Sequence, residues 1–334
     1  MSTQRAPRLV DTPVLATAFS SEGRARPTCL ALCDDGAAWV GFSGAWLDLV
    51  GLDGEVRQRV AMPAVPVALA ARPDGAATVL CSGRRDVWGQ RMRGAQVFDV
   101  QRDGATSAPV VIALGAYPVE LLVDRSGQRY VSSGLPLYSI VDRTALPVVT
   151  YWVTRPRLVP STDELWVQMS YYLSRAADLA AVVRGATRGP VAGINTVTAT
   201  HEFTDYAPRK DGQAWLAMLE SKSVDRSMIR RMDLGTVDYT RPRPALAEHK
   251  IAADLYSLCA AQDGGYFALG SDGLVRRADA DGALQYELRL ATAVSTRLRS
   301  RLRVSKLVLS SNERFAAGLD AIDGALLRVK LPME

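Results

Sequence analysis

The sequence predicts an all-β chain of 334 residues, built as a closed ring of seven four-stranded antiparallel units, and three observations predict it. A turn signal, usually Asp-Gly, recurs in "PTCLALCDDG", "PVALAARPDG", "PVELLVDRSG", "RPRLVPSTDE", "FTDYAPRKDG", "LYSLCAAQDG" and "VSKLVLSSNE". Before each turn stands one apolar residue: Leu30, Leu69, Leu121, Leu158, Tyr206, Leu258 and Leu307. After each turn stands a bulky one: Trp39, Thr78, Tyr130, Trp166, Trp215, Phe267 and Phe315, with a one-residue slip in the fourth and seventh copies.

Each turn therefore joins two strands, because aromatic and β-branched residues suit a half-buried pleated surface. Further Asp-Gly signals, as in "LDLVGLDGEVRQRV" and "LVRRADADGALQYELRL", mark a second hairpin within most copies. The spacing between turns, roughly 36 to 52 residues, is close to that of a propeller blade. Seven such blades make a closed β-propeller, in which neighbouring blades cover each other's faces and only short edges remain.

The expected blades span residues 27–62, 63–114, 115–152, 153–200, 201–252, 253–292 and 293–332. The seventh has only three strands of its own, and Val10 to Phe19 is expected to supply its fourth and close the ring. Blade 4 is the least regular, and "SRAADLAAVVRGA" admits a helical turn in place of a strand. Two smaller β domains divided near Gly185 to Pro190 are the alternative architecture.

Composition sets the outer limits. The chain is 48% hydrophobic and 22% charged, enough to bury a sizeable core and unlike a disordered segment. No apolar run suits a signal peptide or a membrane span, so the expected compartment is the cytoplasm, with no membrane partner. The four cysteines, Cys29, Cys33, Cys81 and Cys259, lie in apolar strand-like segments, where a thiol acts as a small hydrophobe. The net charge is +5, but 35 of the 40 cations are Arg, which reads as codon supply and not as a phosphate-binding footprint. Nucleic acid is not the expected partner.

The stretch "DDGAAWVGFSGAWLDLVGLDG", Asp34 to Gly54, resembles the blades of propellers of the YVTN, NHL and SMP-30 type. The likeness is one of repeat grammar, and it implies a fold and not a function. Propellers resembling the calcium-dependent lactonases hold their metal with a Glu, Asn residues and an Asp. This chain has only Asn195 and Asn312, neither in a matching place. Propellers resembling the streptogramin lyases need a positioned His with a carboxylate. Only His201 and His249 exist, and His201 in "TATHEFTDY", expected in a connection between blades beside Glu202 and Asp205, is the acid–base candidate. "CLALC" lacks the partner ligands of a zinc site, so neither metal nor cofactor is expected.

Two candidate surfaces follow from the ring. One residue before the apolar column stand Cys29, Ala68, Glu120, Arg157, Asp205, Ser257 and Lys306. Glu120, Arg157, Asp205 and Lys306 are candidates for a polar ligand at the channel mouth, or for ion pairs that satisfy one another. The second surface, on the same face as that mouth, is formed by the connections between second and third strands. There the loop Gly83 to Gln96 presents Arg84, Arg85, Arg91 and Arg93 around Trp88, residue types that dominate protein–protein hot spots.

Tyr171, Tyr172 and Arg175 are expected to extend that face, and Arg297, Arg299, Arg301 and Arg303 in "TRLRSRLRVSK" to form a further sector of it. The expected function is a noncatalytic scaffold that binds an acidic protein partner. In that role it resembles the accessory propellers of bacterial systems pairing MoxR-type ATPases with von Willebrand factor A proteins. A channel-mouth hydrolase or lyase, and an anionic-ligand or nucleic-acid-binding face, are the alternatives.

Overall fold

The computed structural model describes residues 8–19, 25–85, 92–114, 120–132, 137–141, 144–149, 154–169, 172–178, 192–196, 201–220, 226–236, 244–291, 306–320 and 324–332. These form seven antiparallel sheets arranged in a ring, a seven-bladed β-propeller. The inner strands, which border the central channel, are Pro27–Leu32, Pro66–Ala71, Glu120–Val123, Thr154–Leu158, His201–Pro208, Leu255–Ala260 and Val308–Leu309, in blades 1 to 7. The second strands are Ala38–Phe42, Ala77–Cys81, Arg129–Ser132, Leu165–Met169, Gln213–Glu220, Tyr266–Gly270 and Phe315–Leu319.

The repeated turn signal lies between these two strands in every blade, and its chemistry explains why. In blade 1 the Asp35 carboxylate accepts the Ala37 amide N–H at 3.0 Å while Gly36 adopts φ +83°, a left-handed conformation that costs glycine little. A Cβ on Gly36 would also stand 2.9 Å from the Phe315 ring of blade 7. Copies 4 and 7 lack the glycine. There Asp163 (φ 58°) and Glu313 (φ 55°) hold the left-handed position instead.

The bulky column lies on the second strands and, Tyr130 apart, is buried. Trp39, Trp166 and Trp215 are each 0% exposed. Two of them bind the next blade: the Trp39 indole N–H donates to the Gly75 carbonyl at 3.1 Å, and that of Trp215 to the Gly264 carbonyl at 3.0 Å. The core is thus a ring of clusters between blades, such as the one joining Trp39 and Leu49 of blade 1 to Leu69 and Val79 of blade 2.

Ring closure follows the expectation in blade 7, through a shorter strand than Val10 to Phe19. Leu15–Thr17 does pair antiparallel with Leu326–Lys330 and completes blade 7. Arg8–Val10 leaves for blade 6, where it adds a fifth, parallel strand beside Leu284–Arg289. The amino-terminal segment therefore ties two blades. A buried guanidinium reinforces the join between blades 7 and 1: Arg328, 0% exposed, donates to the carbonyls of Gly36 at 2.9 Å and Val50 at 3.3 Å. At the turn end, Asp34 of blade 1 accepts from the Ser311 hydroxyl at 2.7 Å and the Asn312 amide at 2.9 Å.

Blade 4 is irregular, as expected. Residues 176–178 are helical, and its fourth strand, Ala192–Asn195, pairs in turn with the short strand Gly235–Thr236. Among the described residues, no helix is long and apolar enough to cross a membrane.

Candidate functional site

The ring column does reach the channel. Glu120, Arg157, Asp205, Ser257 and Lys306 border two adjacent chambers of about 320 and 270 Å3 that share Leu30, Leu69, Leu121 and Lys306 in their walls. The inner strand of each blade has no further strand beyond it, so its outer backbone groups need other partners. The ring column supplies several.

Asp205 is 5% exposed, and its carboxylate accepts from three donors. Its Oδ1 takes the Arg157 guanidinium at 3.0 Å and the Tyr206 amide at 2.9 Å, and its Oδ2 takes the Leu258 amide of blade 6 at 2.9 Å. One blade on, the Ser257 hydroxyl accepts the Leu307 amide of blade 7 at 3.1 Å, and the Cys259 thiol donates to the Leu307 carbonyl at 3.4 Å.

Arg157 links this belt to blade 3 through the Glu120 carboxylate, at 3.2 and 3.3 Å to its two oxygens. Burial opposes the charge on Arg157, but Asp205 and Glu120 overcome it and hold its pKa well above the usual range. Its guanidinium also lies 5.9 Å from the centre of the Tyr206 ring. Of the candidate ligand residues, Glu120, Arg157 and Asp205 are thus engaged in joining blades.

Lys306 differs. It is exposed, and among the described residues no carboxylate lies within ion-pair distance of it. Its charge is close to the thiols of Cys29 and Cys259. Burial pushes Cys29 up to about 12 and Cys259 up to about 11, with the Lys306 ammonium pulling the other way in both. Cys33 and Cys81 are likewise raised by burial, to about 12. Thiols so protonated are poor nucleophiles and poor metal ligands. Among the described residues, no group of three or more His, Cys, Asp or Glu is placed to hold a metal ion.

His201 is not in a connection. It opens the inner strand of blade 5, its backbone paired with Glu220. Of the two carboxylates expected beside it, Glu202 is exposed and Asp205 is committed to the belt. The other histidine, His249, packs 5.8 Å from the Trp215 ring, and burial lowers its pKa, helped by the Arg231 charge.

On the loop face the sequence-derived residues divide. The loop after the second strand of blade 2 starts as a hairpin, with Arg84 opposite Arg93 and Arg85 opposite Met92 in the backbone register. Trp88 and Arg91 lie outside the described residues, as do Tyr171 and Arg297, Arg299, Arg301 and Arg303. Tyr172 is interior, 6% exposed, in a cluster with Leu137 and Val167. Arg175 belongs to the opposite face, because its strand runs from the loop end to the turn end. There it pairs with Glu164 at 2.9 Å.

Sequence reasoning missed a cluster on the loop face of blade 1. Phe42 stacks on Trp46 at 5.2 Å, and the Arg59 guanidinium lies 5.2 Å from the Trp46 ring centre. Arg59 is held there by Asp48, 1% exposed, through bonds of 2.8 and 3.0 Å. The available signal was the lone Asp inside the apolar run "WLDLV".

No protein-family model and no curated protein matches the chain.

Proposed function

We propose that the protein is a noncatalytic interaction propeller that binds an acidic protein partner through its loop face. One observation carries the reading: Arg59 is stacked on Trp46 and fixed by the buried Asp48, on the same face as the blade 2 hairpin. Arg and Trp are the side chains most often decisive at protein interfaces, and a guanidinium already immobilised loses little entropy on binding. The commitment of Arg157, Asp205 and Ser257 to neighbouring blades favours it as well, since they join blades instead of facing a substrate.

In its finer form, the proposal takes the repeat to be of the YVTN, NHL and SMP-30 kind. The setting is then the bacterial cytoplasm, where accessory propellers work beside MoxR-type ATPases and von Willebrand factor A proteins. Affinity capture from the native host tests it. The wild-type chain should retain a stoichiometric acidic partner, and Trp46→Ala with Arg59→Ala, or Trp88→Ala with Arg91→Ala, should release it. A partner retained by both double variants removes the loop face as its site.

A further inference from the structure

The belt formed by that one repeat position is incomplete, blades 1 and 2 being joined one residue earlier, where the Thr28 hydroxyl donates to the Pro66 carbonyl at 2.7 Å, and the gap has a chemistry of its own. Blades 3 to 7 are joined at the channel edge through Glu120, Arg157, Asp205 and Ser257. At the same position blade 2 has Ala68, with no polar atom to offer, and blade 7 has Lys306, a donor with no carboxylate partner among the described residues. The chamber of about 270 Å3 lies in this sector, against blades 1, 2, 3 and 7. Its apolar wall comes from Leu30, Val67, Leu69, Leu121, Val308 and Leu319.

Two other polar side chains there are candidate ligand contacts. Glu120 reaches the chamber, but both its oxygens face Arg157. The Cys29 thiol stays neutral. Among the described residues lining the chamber, the charge open to a ligand is therefore the Lys306 ammonium, exposed at the edge of a concave apolar wall. Such walls concentrate the field of a single charge. The volume is just below the ~300 Å3 at which pockets begin to accept drug-sized molecules, which limits an occupant to a small one.

We propose that this sector of the channel is a binding site for a small monocarboxylate with an aliphatic body, its carboxylate received by Lys306 and its chain by the leucine and valine wall. The chamber shares no residue with the Trp46–Arg59 cluster, and neither reading depends on the other.

Calorimetric titration of the full chain with hexanoate, 1-hexanol and hexylammonium tests it. Hexanoate should bind, and the alcohol and the amine should bind at least roughly tenfold more weakly, the difference expected for a hydrogen bond to a charged group. Lys306→Met should weaken hexanoate about tenfold, while Lys306→Arg should keep most of the affinity. Thermal melting of both variants checks that the ring is intact, as it should be for an exposed side chain. Equal binding of hexanoate and hexanol, an unchanged affinity in Lys306→Met, or no binding of millimolar hexanoate would each overturn the proposal.

Discussion

The two sides of the channel use one repeat position in opposite ways. On the side of blades 4 to 6 it holds Arg157, Asp205 and Ser257, which bond to each other or to the backbone of the next inner strand. On the side of blades 7, 1 and 2 it holds Lys306, Cys29 and Ala68, and the join between blades 7 and 1 is fastened elsewhere. Arg328 fastens it within the sheets, Asp34 at the turn end and Leu15–Thr17 at the outer edge. The lesson is that a repeat position is released from joining blades where other contacts already hold the neighbours.

The largest effect that can break this comparison is at Asp205. Asp205→Ala leaves Arg157 with one carboxylate and the Leu258 amide with none, and should cost about 3–5 kcal/mol in urea unfolding. A loss under about 1 kcal/mol would mean that the belt does not join the blades. Arg328→Met sharpens the other side. It strands the Gly36 and Val50 carbonyls but removes a buried guanidinium whose pKa burial lowers, so the net cost should be about 1–3 kcal/mol in the same assay.

Alkaline pH acts on both sides together. The folded state keeps Cys29 protonated up to about 12 and Cys259 up to about 11, while in the unfolded chain thiols ionise near their usual range. The unfolded state then holds fewer protons, so this contribution to stability is complete below pH ~8.5 and declines above it. Replacing Cys29 with Ala should make the alkaline decline of the melting temperature shallower.

A smaller effect belongs to Ser257→Ala, which leaves the Leu307 amide unpaired and should cost about 1 kcal/mol. The smallest belongs to Lys306→Met, whose stability should lie within about 0.5 kcal/mol of wild type. A large loss there would make the two sides alike.

The turns and the bulky column were legible in the sequence because both repeat and both are local. An Asp-Gly turn carries its own hydrogen bond, and a buried aromatic needs only an apolar strand around it. The position of the ring residues was legible too, being fixed by counting back from the turn. What Asp205 does there was not, because the Leu258 amide is 53 residues away and its approach depends on how two blades are offset. Tyr172 and Arg175 were assigned to a surface from composition. Which end of a strand a residue occupies depends on hairpin length, and that placed one in the core and the other on the far face. The parallel strand Arg8–Val10 carries too few residues to show a period.

That short strand and its neighbour Leu15–Thr17 also impose an order of events. These residues precede blade 1 in the sequence yet bind the last two blades, so they can find their places only after blades 6 and 7 exist. Blades 1 to 5 can assemble by contacts between neighbours, at low cost in loop entropy. The final step joins residues 311 positions apart, as when Arg328 meets Thr17, and it is the slowest kind of contact to form. Until it does, blades 6 and 7 keep open edges, and the nascent ring is most exposed to mispairing just before it is complete.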